Sequence, residues 1–199
     1  MHEKFFQQAT FVKSSPRIKD LPPDSGYEVA FLGRSNAGKS SAINAIVQQK
    51  GLAKTSKTPG RTAALNIFKL DSERRLVDVP GFGFAKVSNT TKDHWVDLIN
   101  SYLENRSCLR GVVLVMDVRH PFKPQDCQLL EWLQETDLNY HIILTKADKL
   151  SFSEQKRTLS LVAGKLSDKA TFNLFSAKER MGLTEVRSIL AKWYSLDNC

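Results

Sequence analysis

The chain has 199 residues, 41% hydrophobic and 25% charged, an ordinary globular composition that excludes a disordered or fibrous protein and suits one compact domain. Its 29 basic residues exceed its 21 acidic ones, for a net charge of +8, which suits a polyanionic partner, nucleic acid or a phosphorylated ligand, without choosing between them. The three widely spaced cysteines, Cys108, Cys127 and Cys199, build neither a disulfide framework nor a zinc site and fit a reducing cytosol.

From the N-terminus, Phe5-Phe6 is diluted at once by Gln7-Gln8, so no secretory leader is expected. The best apolar runs, residues 111–116 and 138–145, are far shorter than the about 20 residues of a membrane span. The expectation is a soluble, cytoplasmic protein. Residues 16–26, with Pro22, Pro23 and Gly26, read as a loop that separates an N-terminal extension, 1–26, from the domain that follows, 27–199.

Within that domain strands and helices alternate. Residues 28–32 are a short apolar run ending at Gly33, the pattern of a buried strand meeting a turn. Residues 39–49 space Ala42, Ile43, Ala45, Ile46 and Val47 as a helix. Residues 63–70 and 75–79 make a strand pair across the polar turn 71–74, and 92–105 put Trp95, Leu98, Ile99 and Tyr102 on one helical stripe. Buried strands are expected at 112–116 and 140–144, helices at 125–135, 153–166 and 183–193, and a last strand at 171–175. This alternation predicts an α/β fold of three layers: a mainly parallel sheet of about six strands with helices on both faces. Ligands of such sheets sit beyond the carboxyl ends of the strands.

The motifs fall there. Gly33-Arg34-Ser35-Asn36-Ala37-Gly38-Lys39-Ser40 is a G-x-x-x-x-G-K-S loop between an expected strand and an expected helix, the form of a P-loop that curls its N–H groups around phosphate. Lys39 would reach the β- and γ-phosphates, and the Ser40 hydroxyl would bind Mg²⁺. Asp78-Val79-Pro80-Gly81 ends a later strand. Asp78 would hold the magnesium hydration shell, and Gly81, with no side chain, lets its N–H approach a γ-phosphate.

Thr145-Lys146-Ala147-Asp148 closes another strand. A carboxylate only accepts hydrogen bonds, so Asp148 suits the two adjacent donors of guanine and not adenine. The Lys146 stem would lie along the base. After the last strand, Phe175, Ser176 and Ala177, followed by Lys178, can add backbone contacts to the guanine oxygen.

The order GxxxxGKS, Thr62, DVPG, TKAD, SAK over residues 33–178 is similar to the translation-factor class of GTPases. The flanks Ser56-Lys57-Thr58-Pro59-Gly60-Arg61-Thr62, Asp78-Val79-Pro80-Gly81-Phe82-Gly83-Phe84-Ala85, Asp117-Val118-Arg119-His120-Pro121 and Ala9-Thr10-Phe11-Val12 resemble the EngB (YihA/YsxC) family of bacterial GTPases. That resemblance implies a P-loop GTPase fold, GTP and GDP with Mg²⁺ as ligands, and a role in assembly of the large ribosomal subunit, with division and septation affected by depletion. By the family pattern Thr62 binds Mg²⁺ when GTP is present, and Gly60, Arg61, Thr62, Ala63 and Ala64 fold over the phosphates as a switch. Asn36 matches an asparagine of potassium-activated relatives, so K⁺ stimulation is expected. Phe82 and Phe84 stand where the family commonly has tyrosines. Phe82 also takes the place of the glutamine that orients water in many GTPases, so slow hydrolysis is expected.

The charge also has an address. Residues 31–70 hold Arg34, Lys39, Lys50, Lys54, Lys57, Arg61 and Lys69 and no acid. Lys50, Lys54, Lys57 and Arg61 would form a basic switch loop for ribosomal RNA in a monomeric, membrane-free protein. A P-loop kinase is disfavoured by Asp148 with Thr62, and an RNA-binding module without turnover by the intact Lys39, Ser40, Thr62 and Asp78. His2, His94, His120 and His141 have no metal-ligand spacing, and Trp95, Trp132 and Trp193 read as core. Arg119 and His120 follow a strand end, where a partner could reach them.

Overall fold

The structure is a computed structural model and describes residues 2–54, 64–81, 89–166 and 170–196. In chain order the elements are α1 (Glu3–Phe6), β1 (Thr10–Ser15), β2 (Tyr27–Gly33), α2 (Lys39–Val47), β3 (Leu65–Lys69), β4 (Arg74–Asp78), α3 (Asn89–Asn105), β5 (Leu109–Asp117), α4 (Pro124–Glu135), β6 (Asn139–Thr145), α5 (Phe152–Ala163), β7 (Thr171–Leu174) and α6 (Leu183–Trp193). They form one sheet of order β1-β3-β4-β2-β5-β6-β7. β4, β2, β5, β6 and β7 run parallel, and β3 and β1 continue it antiparallel.

Continuous apolar runs make the central strands because both of their faces are covered. Along β5, Val113 and Val115 enter one core with Phe31, Ile43, Ile46 and Leu190. Val112, Leu114 and Met116 enter the other, with Leu32, Ile99, Tyr102 and Leu133. α5 starts on a capping box: the Ser151 hydroxyl accepts the Glu154 N–H, and the Glu154 carboxylate accepts the Ser151 N–H at 2.7 Å.

The sheet has seven strands rather than about six. The additional strand is β1, inside the segment read as an extension. Its residues are exposed down to Ser15 and its register shifts between Phe11 and Lys13, so it shows none of the alternation that marks a strand in sequence. α3 begins three residues before the expected start, and α5 ends at Ala163 rather than 166.

At the end of the sheet away from the motifs, buried Glu28 accepts from Arg75 Nε at 2.9 Å, Arg106 at 2.8 and 3.0 Å and Tyr102 Oη at 3.1 Å. His141 is a packing residue, its ring nitrogens 2.8 Å from Thr171 Oγ1 and 2.6 Å from Asn173 Oδ1. Trp132 and Trp193 are half-buried at core edges. The side chains of His94 and Trp95 lie outside the described residues.

Candidate functional site

The carboxyl ends of β2, β4, β5 and β6 form one rim. β2 ends in Gly33 and α2 starts at Lys39, so Gly33–Ser40 spans a strand end and a helix N-terminus, where a helix dipole attracts anions. Gly38, the residue before α2, has φ +99°, and a Cβ on it would meet Thr145 Oγ1 at 3.2 Å. Asn36 is also left-handed, with φ +62°, a conformation asparagine tolerates.

Lys39 is buried and ion-paired with Asp78 of β4. Val79 N–H bonds the Phe31 carbonyl at 3.1 Å, which carries the chain through Pro80 to Gly81. A Cβ on Gly81 would stand 3.1 Å from Ser35 N, so the Asp78–Gly81 turn lies directly against the loop. The Ser40 hydroxyl donates to the Lys54 carbonyl at 3.4 Å.

The TKAD segment is tied to the same loop. Thr145 Oγ1 donates to the Ala37 carbonyl, with the Met116 carbonyl 3.0 Å away. Lys146 Nζ donates to the Asn36 carbonyl at 2.7 Å and to Asp117 Oδ2 at 2.8 Å. Ala147 N–H bonds the Phe175 carbonyl at 3.1 Å, which sets Asp148 beside Ser176, whose hydroxyl donates to Asp148 Oδ1 at 2.7 Å. That bond holds the Asp148 carboxyl below its ordinary value against the opposing effect of burial. Ala177 follows half-buried.

Two carboxylates join this rim that the site reading did not include. Asp117 ends β5 opposite Thr145 and takes Arg119 Nη2 at 2.7 Å as well as Lys146. Burial opposes its ionisation, and the bonds from Arg119 and Lys146 overcome this and hold it low. Asp126 of α4, fully buried, accepts from Arg34 Nε at 3.3 Å and from Lys123 N–H at 3.2 Å. The signal for Asp117 was present, an acid closing an apolar strand level with TKAD. Nothing local marks Asp126, which lies 92 residues from Arg34.

Gly60, Arg61, Thr62 and Ala63, together with Lys57, Phe82 and Phe84, lie outside the described residues. Ala64 is half-buried just before β3, and Lys50 and Lys54 are exposed. Among the described residues no group of three His, Cys, Asp or Glu could hold a metal. Magnesium needs no such group: it takes one or two hard oxygen ligands from the protein and completes its shell with phosphate and water. The Ser40 hydroxyl and Asp78 carboxylate are such donors. No described helix is long and apolar enough to cross a membrane.

The family model described as "50S ribosome-binding GTPase" matches residues 28–146. A solved structure described as a probable GTP-binding protein engB superposes with a TM-score of 0.68 at 22% identity, over 84% of this chain and 98% of that one. The structure of Era in complex with MgGDPNP and a segment of 16S ribosomal RNA superposes with a TM-score of 0.64 at 19% identity, over 85% and 57%. Both likenesses concern the fold, which is that of a P-loop GTPase. In sequence, the protein named Probable GTP-binding protein EngB from Coxiella burnetii strain RSA 331 / Henzerling II is 50% identical over 192 residues, 95% of this chain and 94% of its own. Its counterpart from strain RSA 493 / Nine Mile phase I matches to the same extent. The chain therefore belongs to the EngB family of GTP-binding proteins.

Proposed function

We propose that this protein is a guanine-nucleotide switch that binds GTP and GDP with Mg²⁺, hydrolyses GTP slowly, and acts in assembly of the large ribosomal subunit, with normal division and septation depending on it. One observation carries the nucleotide reading. Thr145 and Lys146 of TKAD bond the carbonyls of Ala37 and Asn36, so the loop suited to phosphate and the carboxylate suited to guanine share one rim. The ribosomal part is supported by the family description and by Era, a protein of the same fold solved with 16S ribosomal RNA.

In this reading the backbone of Gly33–Ser40 and the α2 N-terminus cradle the phosphates, and Lys39 turns from Asp78 to the β- and γ-oxygens. Ser40, Thr62 and, through water, Asp78 hold the metal. Magnesium, when bound, supplies charge neutralisation at the phosphates. Gly81 donates its N–H to the γ-phosphate. Asp148 accepts from the base, Ser176 orients it, Lys146 flanks the base, and Phe175 and Ala177 complete the wall. Loss of γ-phosphate releases the segments holding Thr62 and Phe82. The Asn36 side chain favours K⁺ at the phosphates, so hydrolysis runs faster in KCl than in NaCl.

Lys50, Lys54, Lys57 and Arg61 contact ribosomal RNA in a nucleotide-dependent way. The protein works as a cytoplasmic monomer, with residues 1–26 an extension packed on a GTPase domain of residues 27–199.

Calorimetric titration tests the nucleotide reading: GTP and GDP should bind, with ATP weaker by a factor of about 10⁴. Equal binding of ATP overturns it. Co-sedimentation with large ribosomal subunits under a GTP analogue and under GDP tests the ribosomal reading, which predicts association that differs between the two states. No association in either state overturns it.

A further inference from the structure

α5 presents an outward face that the nucleotide site does not use. Phe152, its first residue, is 82% exposed, more than any other large apolar side chain among the described residues, and Leu161 is 48% exposed. At 100° per residue, Phe152 and Lys156 stack one turn apart on one flank, and Arg157 and Leu161 on the other. Ser153 and Ser160 lie between them, while Val162 turns the opposite way into the core.

Neither Lys156 nor Arg157 has an ion-pair partner among the described residues. Lys149, one turn before the helix, is exposed, with its ammonium 3.5 Å from Asp148. Glu154 is the one acid on α5, and its carboxylate is engaged by the Ser151 N–H at 2.7 Å and hydroxyl at 2.6 Å. Among the described residues the face therefore offers two cations without an ion-pair partner and an open aromatic ring, with no free anion between them.

We propose that this face of α5 is a docking surface for single-stranded RNA, with one base stacked on Phe152 and neighbouring phosphates on Lys156 and Arg157. Cations interleaved with an exposed ring are what binds an unpaired strand, since every base has a face to stack and every linkage a charge. A duplex keeps its bases stacked inside and would gain nothing from the ring. A membrane would need a continuous apolar stripe, whereas Phe152 and Leu161 stand on opposite flanks with cations and serines between them. The inference does not depend on the nucleotide site. It adds to the basic switch loop a contact on a separate element of the fold.

The test uses the full chain without nucleotide and a fluorescein-labelled single-stranded RNA 12-mer of mixed sequence, read by anisotropy over a series of salt concentrations. Phe152→Ala is expected to weaken binding about tenfold, the loss of one stack, with the salt slope unchanged, and Phe152→Trp to restore it. Lys156→Gln with Arg157→Gln is expected to reduce the log–log salt slope by about 0.7 per cation removed. Thermal midpoint and GTP affinity should stay at parent values in these variants, because the side chains are exposed and none belongs to the nucleotide site. Any of three results overturns the proposal: no RNA binding by the parent at low salt, variants that bind RNA as the parent does, or a Phe152-dependent affinity shown for an RNA duplex or for phosphatidylglycerol vesicles instead.

Discussion

Lys39 and Asp78 form a buried ion pair, their side chains 9% and 6% exposed, across the space where the nucleotide reading puts phosphate and magnesium. Each charge is at present the other's compensation. Ligand binding therefore has to exchange this pair for phosphate on one side and a hydrated cation on the other. Removing one member strands the other in a place water hardly reaches, which costs about 3–5 kcal/mol. Lys39→Ala and Asp78→Ala should each lower the stability of the nucleotide-free protein by about that much, and the double variant by clearly less than the sum. Denaturant unfolding of the three variants measures it, and strictly additive losses would show that the pair does not couple.

Asp148 is held ionised below its ordinary value by the Ser176 hydroxyl. For a carboxyl whose folded value is depressed, the contribution is present above the unfolded value and is lost only as pH falls through the folded one. The contribution of Asp148 to guanine binding should therefore be flat from about pH 8 to about pH 5. Ser176→Ala should weaken GDP about tenfold, as for a lost hydrogen bond to a charged group, and move the acid limb to higher pH. Asp148→Asn should shift preference from guanine to xanthine nucleotides, because an amide can donate to the added carbonyl. Titrations with GDP and XDP across pH read all three effects.

The network around Glu28 sits at the opposite end of β2 from the phosphate loop. Glu28→Gln leaves Arg75 and Arg106 without their shared charge and should cost about 3–5 kcal/mol, while GTP affinity in the folded population stays at the parent value. Beside it, burial pushes the Cys108 thiol up to about 12. Its alkylation at neutral pH should then be slow in the parent and faster in the Glu28→Gln variant, which thiol labelling kinetics would show.

Phe6 is fully buried against Phe5 and Tyr194, with ring centroids at 5.3 and 6.4 Å. Gln49 Nε2 also ties the Gln7 and Ala9 carbonyls to the end of α2, at 2.8 and 2.7 Å. Phe6→Ala should cost about 3–5 kcal/mol, a loss that an unattached extension would not show in a thermal melt.

Much of the sheet was legible in the residues because the central strands are buried on both faces, so no polar residue interrupts the run at 112–116 and only His141 interrupts the run at 140–144. α2, α4 and α6 were legible for the complementary reason: one stripe of each faces a core, and periodicity records it. β1 was not legible. An exposed edge strand with a bulge is specified by its hydrogen bonds to β3, and backbone pairing leaves no side-chain pattern.

By itself the sequence determined the motifs, their order along the chain and the chemistry each residue type can supply: a glycine where a side chain would intrude, a lysine for phosphate, a carboxylate for a pair of donors. Local geometry suffices for these, because each motif occupies a single strand end. Only the tertiary structure decided what joins the motifs: Lys39 to Asp78, Thr145 and Lys146 to the P-loop carbonyls, Lys146 to Asp117, and Arg34 to Asp126. These partners lie 29 to 110 residues apart in the chain. Coulomb attraction and hydrogen bonding act on distance in space, and the stacking order of the strands sets that distance.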